Sequence, residues 1–164
     1  MSDEFSDLLA ANEAFAGDFD AAGTAGPAAK RLCVLTCMDS RLDPWRMLGL
    51  RTGDAKVLRN AGARVTEEVL RTLVLARYLL DVERVMVVAH TRCAMASRSE
   101  PSIHQAIAAR RGPDTRSLSF LTSADPVEAL EGDVQRIRSS PYLAGLQVGG
   151  FVYDVDTGRV RQAV

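Results

Sequence analysis

The stretch Leu32-Cys33-Val34-Leu35-Thr36-Cys37-Met38-Asp39-Ser40-Arg41 decides how this chain is read. It opens as an apolar run of strand length and closes with a thiol, a carboxylate and a guanidinium at alternate positions, Cys37, Asp39 and Arg41. In extended backbone, residues at i, i+2 and i+4 share a face, so these three side chains point into one site if the extension persists past the strand. Asp43-Pro44 follows, an N-cap and a first-turn proline for a short helix. A buried strand that ends in polar groups just before a helix is where open α/β sheets place their ligands. Taken alone, the stretch fits a core cysteine and a surface Asp–Arg pair equally well.

A second stretch separates the two readings. Arg84-Val85-Met86-Val87-Val88-Ala89 is another apolar run, and it delivers His90-Thr91-Arg92-Cys93. A His and a Cys three apart, at a strand end turning into a helix, can close on one metal ion. With Cys37 they make a Cys₂His set, the combination of catalytic zinc sites that keep a fourth position open. Cys93 near a helix N-terminus also has its thiolate favoured. A structural zinc site usually shows four protein ligands, so three favour catalysis. Cys33 stands four residues before Cys37, roughly 13 Å along an extended strand, and is read as a buried small hydrophobe. That separation also rules out a Cys33–Cys37 disulfide. A Cys37–Cys93 disulfide is conceivable if metal is lost. A thiol–disulfide enzyme would show Cys-x-x-Cys, which this chain lacks.

Around these stretches the pattern alternates. Phe5, Leu8, Leu9, Asn12 and Phe15 fall on one helical face with Gly17 placed to stop it, giving a helix over 1–17 and a linker over 18–30. Strands are expected at 31–36, 55–59, 84–89 and 147–154, with helices from Pro44 to Gly49, from Thr66 to about Asp81, and from Asp125-Pro126-Val127-Glu128 onward. The long helix from Thr66 carries Val69, Leu70, Leu73, Val74 and Leu80; the later one carries Val127, Leu130, Val134 and Ile137. A short helix is expected after Cys93, then one capped at Pro101-Ser102 with Gln105 at N3, then polar loop over 112–123. Trp45, beside the site, is assigned to packing. The Asp156-Thr157-Gly158 turn leads to a last strand over 159–164. The expected fold class is α/β: a mainly parallel central sheet with flanking helices and a C-terminal antiparallel edge strand, in one domain over 1–164.

Composition bounds the function. A chain of 164 residues with 47% hydrophobic and 25% charged residues is an ordinary globular domain with room for a core. A net charge of -1 argues against a general nucleic-acid or membrane-surface binder. No apolar run approaches the ~20 residues that span a bilayer, and Met1-Ser2-Asp3-Glu4 is too acidic for a signal peptide, so the cytoplasm is expected. Three cysteines do not suggest a disulfide framework.

Cys37-Met38-Asp39-Ser40-Arg41, Arg59-Asn60-Ala61-Gly62 and His90-Thr91-Arg92-Cys93 resemble, in order and spacing, the β-class carbonic anhydrases, and the short intervals are similar to the small bacterial branch of that family. The resemblance implies one Zn²⁺ per chain on Cys37, His90 and Cys93, and reversible hydration of carbon dioxide to bicarbonate and a proton. It also implies an Asp39–Arg41 pair at the reacting water, with Asp39 an alternative fourth ligand in a closed state. Two thiolates leave the zinc with little net charge, so other groups must help acidify its water, and Asp39 is the candidate. His104 is the only other histidine available as a proton shuttle. Small relatives clasp a second protomer with the N-terminal helix, which implies a homodimer or a dimer of dimers. Where the family usually has His-Thr-Asp-Cys-Gly, this chain has Arg92 and Ala94, which changes the charge beside a ligand and adds a side chain where glycine allows positive φ. The alternatives are a hydrolase of carbonyl sulfide or carbon disulfide on the same ligands, and a catalytically silent zinc-binding protein.

Overall fold

Six consecutive buried residues, Leu32–Cys37, form β1, an interior strand of a five-stranded sheet. A strand buried on both faces needs an uninterrupted apolar run, and this one has it. The computed structural model describes residues 4–164; the first three residues of the acidic N-terminus lie outside them. Strands β2 (Ala55–Asn60) and β3 (Arg84–His90) flank β1 in parallel, β4 (Gln147–Tyr153) continues parallel beside β3, and β5 (Val160–Gln162) closes the edge antiparallel to β4. The expected α/β class, the parallel order and the antiparallel last strand are all present, with β5 shorter than the expected 159–164.

The helices are α1 (Ser6–Gly17), α2 (Pro44–Leu48), α3 (Glu67–Leu79), α4 (Ala94–Ser97), α5 (Glu100–Ala109) and α6 (Pro126–Arg138). Asp43 caps α2 by accepting from the Arg46 amide, and Gly49 ends it in the left-handed conformation at φ +62°. Asp125 accepts from the amides of Val127 and Glu128 at the start of α6. The cap of α5 is corrected: Ser99 is the N-cap, exchanging bonds with Ser102, and Pro101 lies inside the first turn, where its missing N–H costs nothing.

The main core lies between one sheet face, with Cys33, Leu35, Val85 and Val87, and helices α3 and α6, with Leu73, Val134 and Ile137 fully buried. Val127 is exposed, whereas Asp133, which the apolar pattern passes over, is 5% exposed on the buried side of α6. On the other sheet face Leu32, Val34 and Val88 pack on Met47, Leu48 and Leu50, in and just after α2. Helix α1 buries no residue, and residues 18–31 contain no helix or strand. No described helix is long and apolar enough to cross a membrane.

Candidate metal centre

Strands β1 and β3 are hydrogen-bonded neighbours running the same way, with Thr36 opposite Val88, so Cys37 and His90 emerge side by side at their carboxyl ends. Cys93 follows on the turn after β3, as the N-cap of α4. The Cys37 and Cys93 sulfurs and a His90 ring nitrogen all lie within 4.8 Å of one another, and all three residues are buried. His90 Nδ1 lies 2.9 Å from the Thr91 carbonyl, which it meets as an N–H donor. Nε2 is then a bare lone pair, buried and without a hydrogen-bond partner. An orphaned acceptor between two thiols is what a cation would satisfy. Two soft sulfurs and an imidazole suit zinc, so the residues fit that metal.

The thiols behave accordingly. Cys37 is drawn well below its ordinary pKa, first by the hydrogen bond with Cys93 and also by the Gly62 amide, while the Cys93 thiol is pushed up by the same pairing and by burial. Cys33, by contrast, is wholly buried with its pKa pushed up to about 12 by desolvation. All three cysteines are free thiols.

Asp39 and Arg41 reach this centre by a route other than continued extension. The chain turns after Met38, with the Leu42 amide on the Asp39 carbonyl at 3.1 Å. The turn lays Arg41 along the carboxylate: Nε donates to Oδ1 at 2.8 Å and Nη2 to Oδ2 at 2.7 Å. This bidentate pairing, with the Arg41 amide, holds Asp39 far below the ordinary carboxylate range. Asp39 Oδ2 sits 4.0 Å from His90 Nε2, so the carboxylate faces the Cys37–His90–Cys93 cluster while on its arginine.

Two residues that hold the frame, Arg59 and Gly62, were not legible as such. Arg59 donates from Nε to the Cys37 carbonyl at 3.0 Å and from Nη2 to the Asp39 carbonyl at 2.7 Å, so β2 fixes the backbone on both sides of Met38. Gly62, at φ +79° in a 3₁₀ turn over 61–63, donates its amide to the Cys37 sulfur at 3.3 Å. A Cβ there would sit 3.2 Å from Met95, so both conformation and space call for glycine. The next residue, Ala63, is also left-handed at φ +58°, a strain of roughly 1–2 kcal/mol that the surroundings must hold. The only sequence signal for these roles was the Arg59–Gly62 block itself.

Arg92 and Ala94 find a simple accommodation. The left-handed φ of +53° falls on Arg92, and Ala94 needs no such conformation. The Arg92 guanidinium pairs with Asp156 on the β4–β5 turn, and its carbonyl accepts from Arg41 at 3.2 Å. The added positive charge is thus met by a carboxylate. Trp45, assigned to packing, keeps 41% of its surface exposed. His104 contacts Thr115, Glu100 and Phe120, none of them in the cluster.

The family model described as carbonic anhydrase matches residues 32–160, from the first residue of β1 to the first of β5. The chain belongs to the β-carbonic anhydrases. Among its relatives, Beta-carbonic anhydrase 1 of Mycobacterium tuberculosis is 34% identical over 139 residues, covering 83% of this chain and 83% of that one. The crystal structure of carbonic anhydrase from Streptococcus mutans is 33% identical and superposes with a TM-score of 0.94, covering 100% of this chain and 99% of the other. This carbonic anhydrase also matches a carbon disulfide hydrolase of Acidithiobacillus thiooxidans, 28% identical over 155 residues, 82% of this chain and 78% of that one.

Proposed function

We propose that the protein catalyses the reversible hydration of carbon dioxide to bicarbonate and a proton at the centre formed by Cys37, His90 and Cys93. The observation that carries this reading is the unpartnered His90 Nε2 among two thiols, 4.0 Å from a carboxylate held ready by arginine. Zinc bound by these three residues would supply the Lewis acid that makes water nucleophilic near neutral pH.

The chain's own residues supply orientation. Asp39 stays ionised, so at neutral pH it is a poor proton store and a good acceptor. A hydrogen bond from the attacking water to its Oδ2 fixes where that oxygen's remaining lone pair points, and the released proton passes to solvent or buffer. Arg41 keeps the carboxylate charged and aimed, and the Arg92 carbonyl holds Arg41 in turn. Arg59 keeps Cys37 and Asp39 at a fixed spacing through their carbonyls. A small cavity of about 30 Å³ behind His90 and Cys93, lined also by Ala89, Ala96 and Leu130, is mostly apolar and suits an uncharged guest of a few atoms. Release of Asp39 from Arg41 would make it the fourth ligand of a closed state.

The second reading, hydrolysis of carbonyl sulfide or carbon disulfide, has the carbon disulfide hydrolase relatives in its favour. Those substrates are isoelectronic with carbon dioxide, and the ligand set does not separate them. Over similar shares of the chain, 83% and 82%, the carbonic anhydrase is 34% identical and the carbon disulfide hydrolase 28%, which favours carbon dioxide. Side-by-side rates of carbon dioxide hydration and of sulfide release from carbon disulfide decide: hydration should dominate, and sulfide release without hydration would reverse the assignment. We further assign a cytoplasmic homodimer or dimer of dimers, with α1 as the clasp, since α1 carries Leu8, Leu9 and Phe15 on its surface.

A further inference from the structure

Asp133 is the one buried carboxylate among the described residues. It sits on α6 between Leu130 and Val134, both core residues, and Gly150 of β4 lets that helix lie close, since a Cβ there would meet Leu130 and Val134 at 3.0 and 3.1 Å. Both of its oxygens are used on one short segment: Oδ2 accepts from Arg64 Nε at 2.6 Å and Oδ1 from the Val65 amide at 3.0 Å. Arg64 also donates from Nη1 to the Leu121 carbonyl at 2.6 Å. The segment is further closed by Asn60, whose side chain accepts from the Arg64 amide at 2.8 Å and donates to the Arg64 carbonyl at 2.7 Å. Inside this clamp lie the left-handed pair Gly62 and Ala63, and the Gly62 amide is the group that meets the Cys37 sulfur.

Two consecutive left-handed residues do not hold themselves in place, and alanine resists that conformation. The clamp has two ends. Asn60 is local, whereas Asp133 ties the turn to the core from 68 residues away. A buried carboxylate matched to a guanidinium and an amide is rigid and costly to disturb. Arg64 also lines the cavity beside His90 and Cys93.

We propose that Asp133 is a positioning residue for the metal centre: through Arg64 and Val65 it holds the 60–64 turn so that the Gly62 amide donates to the Cys37 sulfur. Its effect at the metal rests on the zinc reading above, but the hydrogen bond itself exists without metal. The test therefore follows the Gly62 amide by NMR in both the metal-free reduced protein and the zinc-loaded protein, and the sulfur-to-metal charge-transfer band of the cobalt(II)-substituted protein. Asp133→Asn keeps an acceptor for the Val65 amide and removes the charge that holds Arg64. Arg64→Lys attacks the same contact from the other side, and Val134→Ala is the control for a weakened α6. In Asp133→Asn and Arg64→Lys the Gly62 amide proton should move upfield and exchange about tenfold faster, the factor a typical net hydrogen bond represents, and the charge-transfer band should move to lower energy as the sulfur lone pair loses its donor. Val134→Ala should lower the melting temperature and leave both signals in place. Unchanged Gly62 and cobalt signals in either folded variant, or equal shifts in Val134→Ala, would overturn the positioning role. If the wild type takes up neither zinc nor cobalt, the metal reading fails by itself, and the Gly62 signal of the metal-free protein still decides for or against Asp133.

Discussion

At the scale of single residues, Asp39 is governed by Arg41. The carboxylate's pKa in the folded chain is below its unfolded value near 4, so their contact adds stability above about pH 4 and loses it as the pH falls further. Both groups are partly exposed, so this contribution is small. For activity the consequence is larger: Asp39 has no titration near neutrality, and the rise of hydration with pH must come from another group. Asp39→Ala should reduce kcat/KM by about 10²-fold or more without loss of bound zinc, as measured by stopped-flow assay beside metal analysis. Cys33 follows the opposite sign. Its folded pKa is raised from 9.0 to about 12, so stability is intact below pH 9 and falls as the pH climbs towards 12 and the unfolded thiol ionises. Denaturant titrations at pH 8 and 10.5 should show Cys33→Ala losing less stability between the two than the wild type does, by on the order of 1–2 kcal/mol. The roles proposed for Cys37, Asp39, Arg41, His90 and Cys93 were legible because strand ends carry their chemistry in plain order. Asp133 was not, since an apolar scan of α6 counts it as a gap, and its partner lies on a segment far off in sequence.

At the scale of elements, the local rules worked well. The strands and main helices fall within about two residues of their patterns because caps such as Asp43, Thr66 and Asp125 punctuate them. Misreadings came where side chains compete with simple periodicity. Ser99 captured the cap of α5 from Ser102, and the turn after Met38 replaced the extension expected to align Asp39 and Arg41. The 61–63 turn is the element on which most depends, since a backbone amide rather than a side chain reaches the Cys37 sulfur. Gly62→Ala should lower the free energy of unfolding by roughly 1–2 kcal/mol in urea titrations, and weaken zinc retention against a chelator, because the alanine must take up φ +79° against Met95. Equal stability and zinc affinity in the variant would remove the amide from the account.

At the scale of the whole molecule, one face of the sheet is well covered by α3 and α6, the other packs on residues in and just after α2, and α1 buries nothing. An apolar helix with no buried residue needs a surface, and the proposed clasp supplies one from a second copy. Deleting residues 1–17 should shift sedimentation from dimer towards monomer; an unchanged dimer would place the interface elsewhere. Such association leaves little trace in a single sequence, since an apolar face looks the same whether it covers its own domain or a neighbour's. The proposed chemistry rests on metal held by the Cys37–His90–Cys93 cluster. The most direct measurement is stopped-flow hydration of carbon dioxide from about pH 6.5 to 9, on protein whose zinc content is set by removal and stepwise return. The account predicts activity that vanishes with the metal and returns in proportion to zinc, reaching its maximum at one ion per chain. One bound zinc per chain with no hydration anywhere in that range would contradict it.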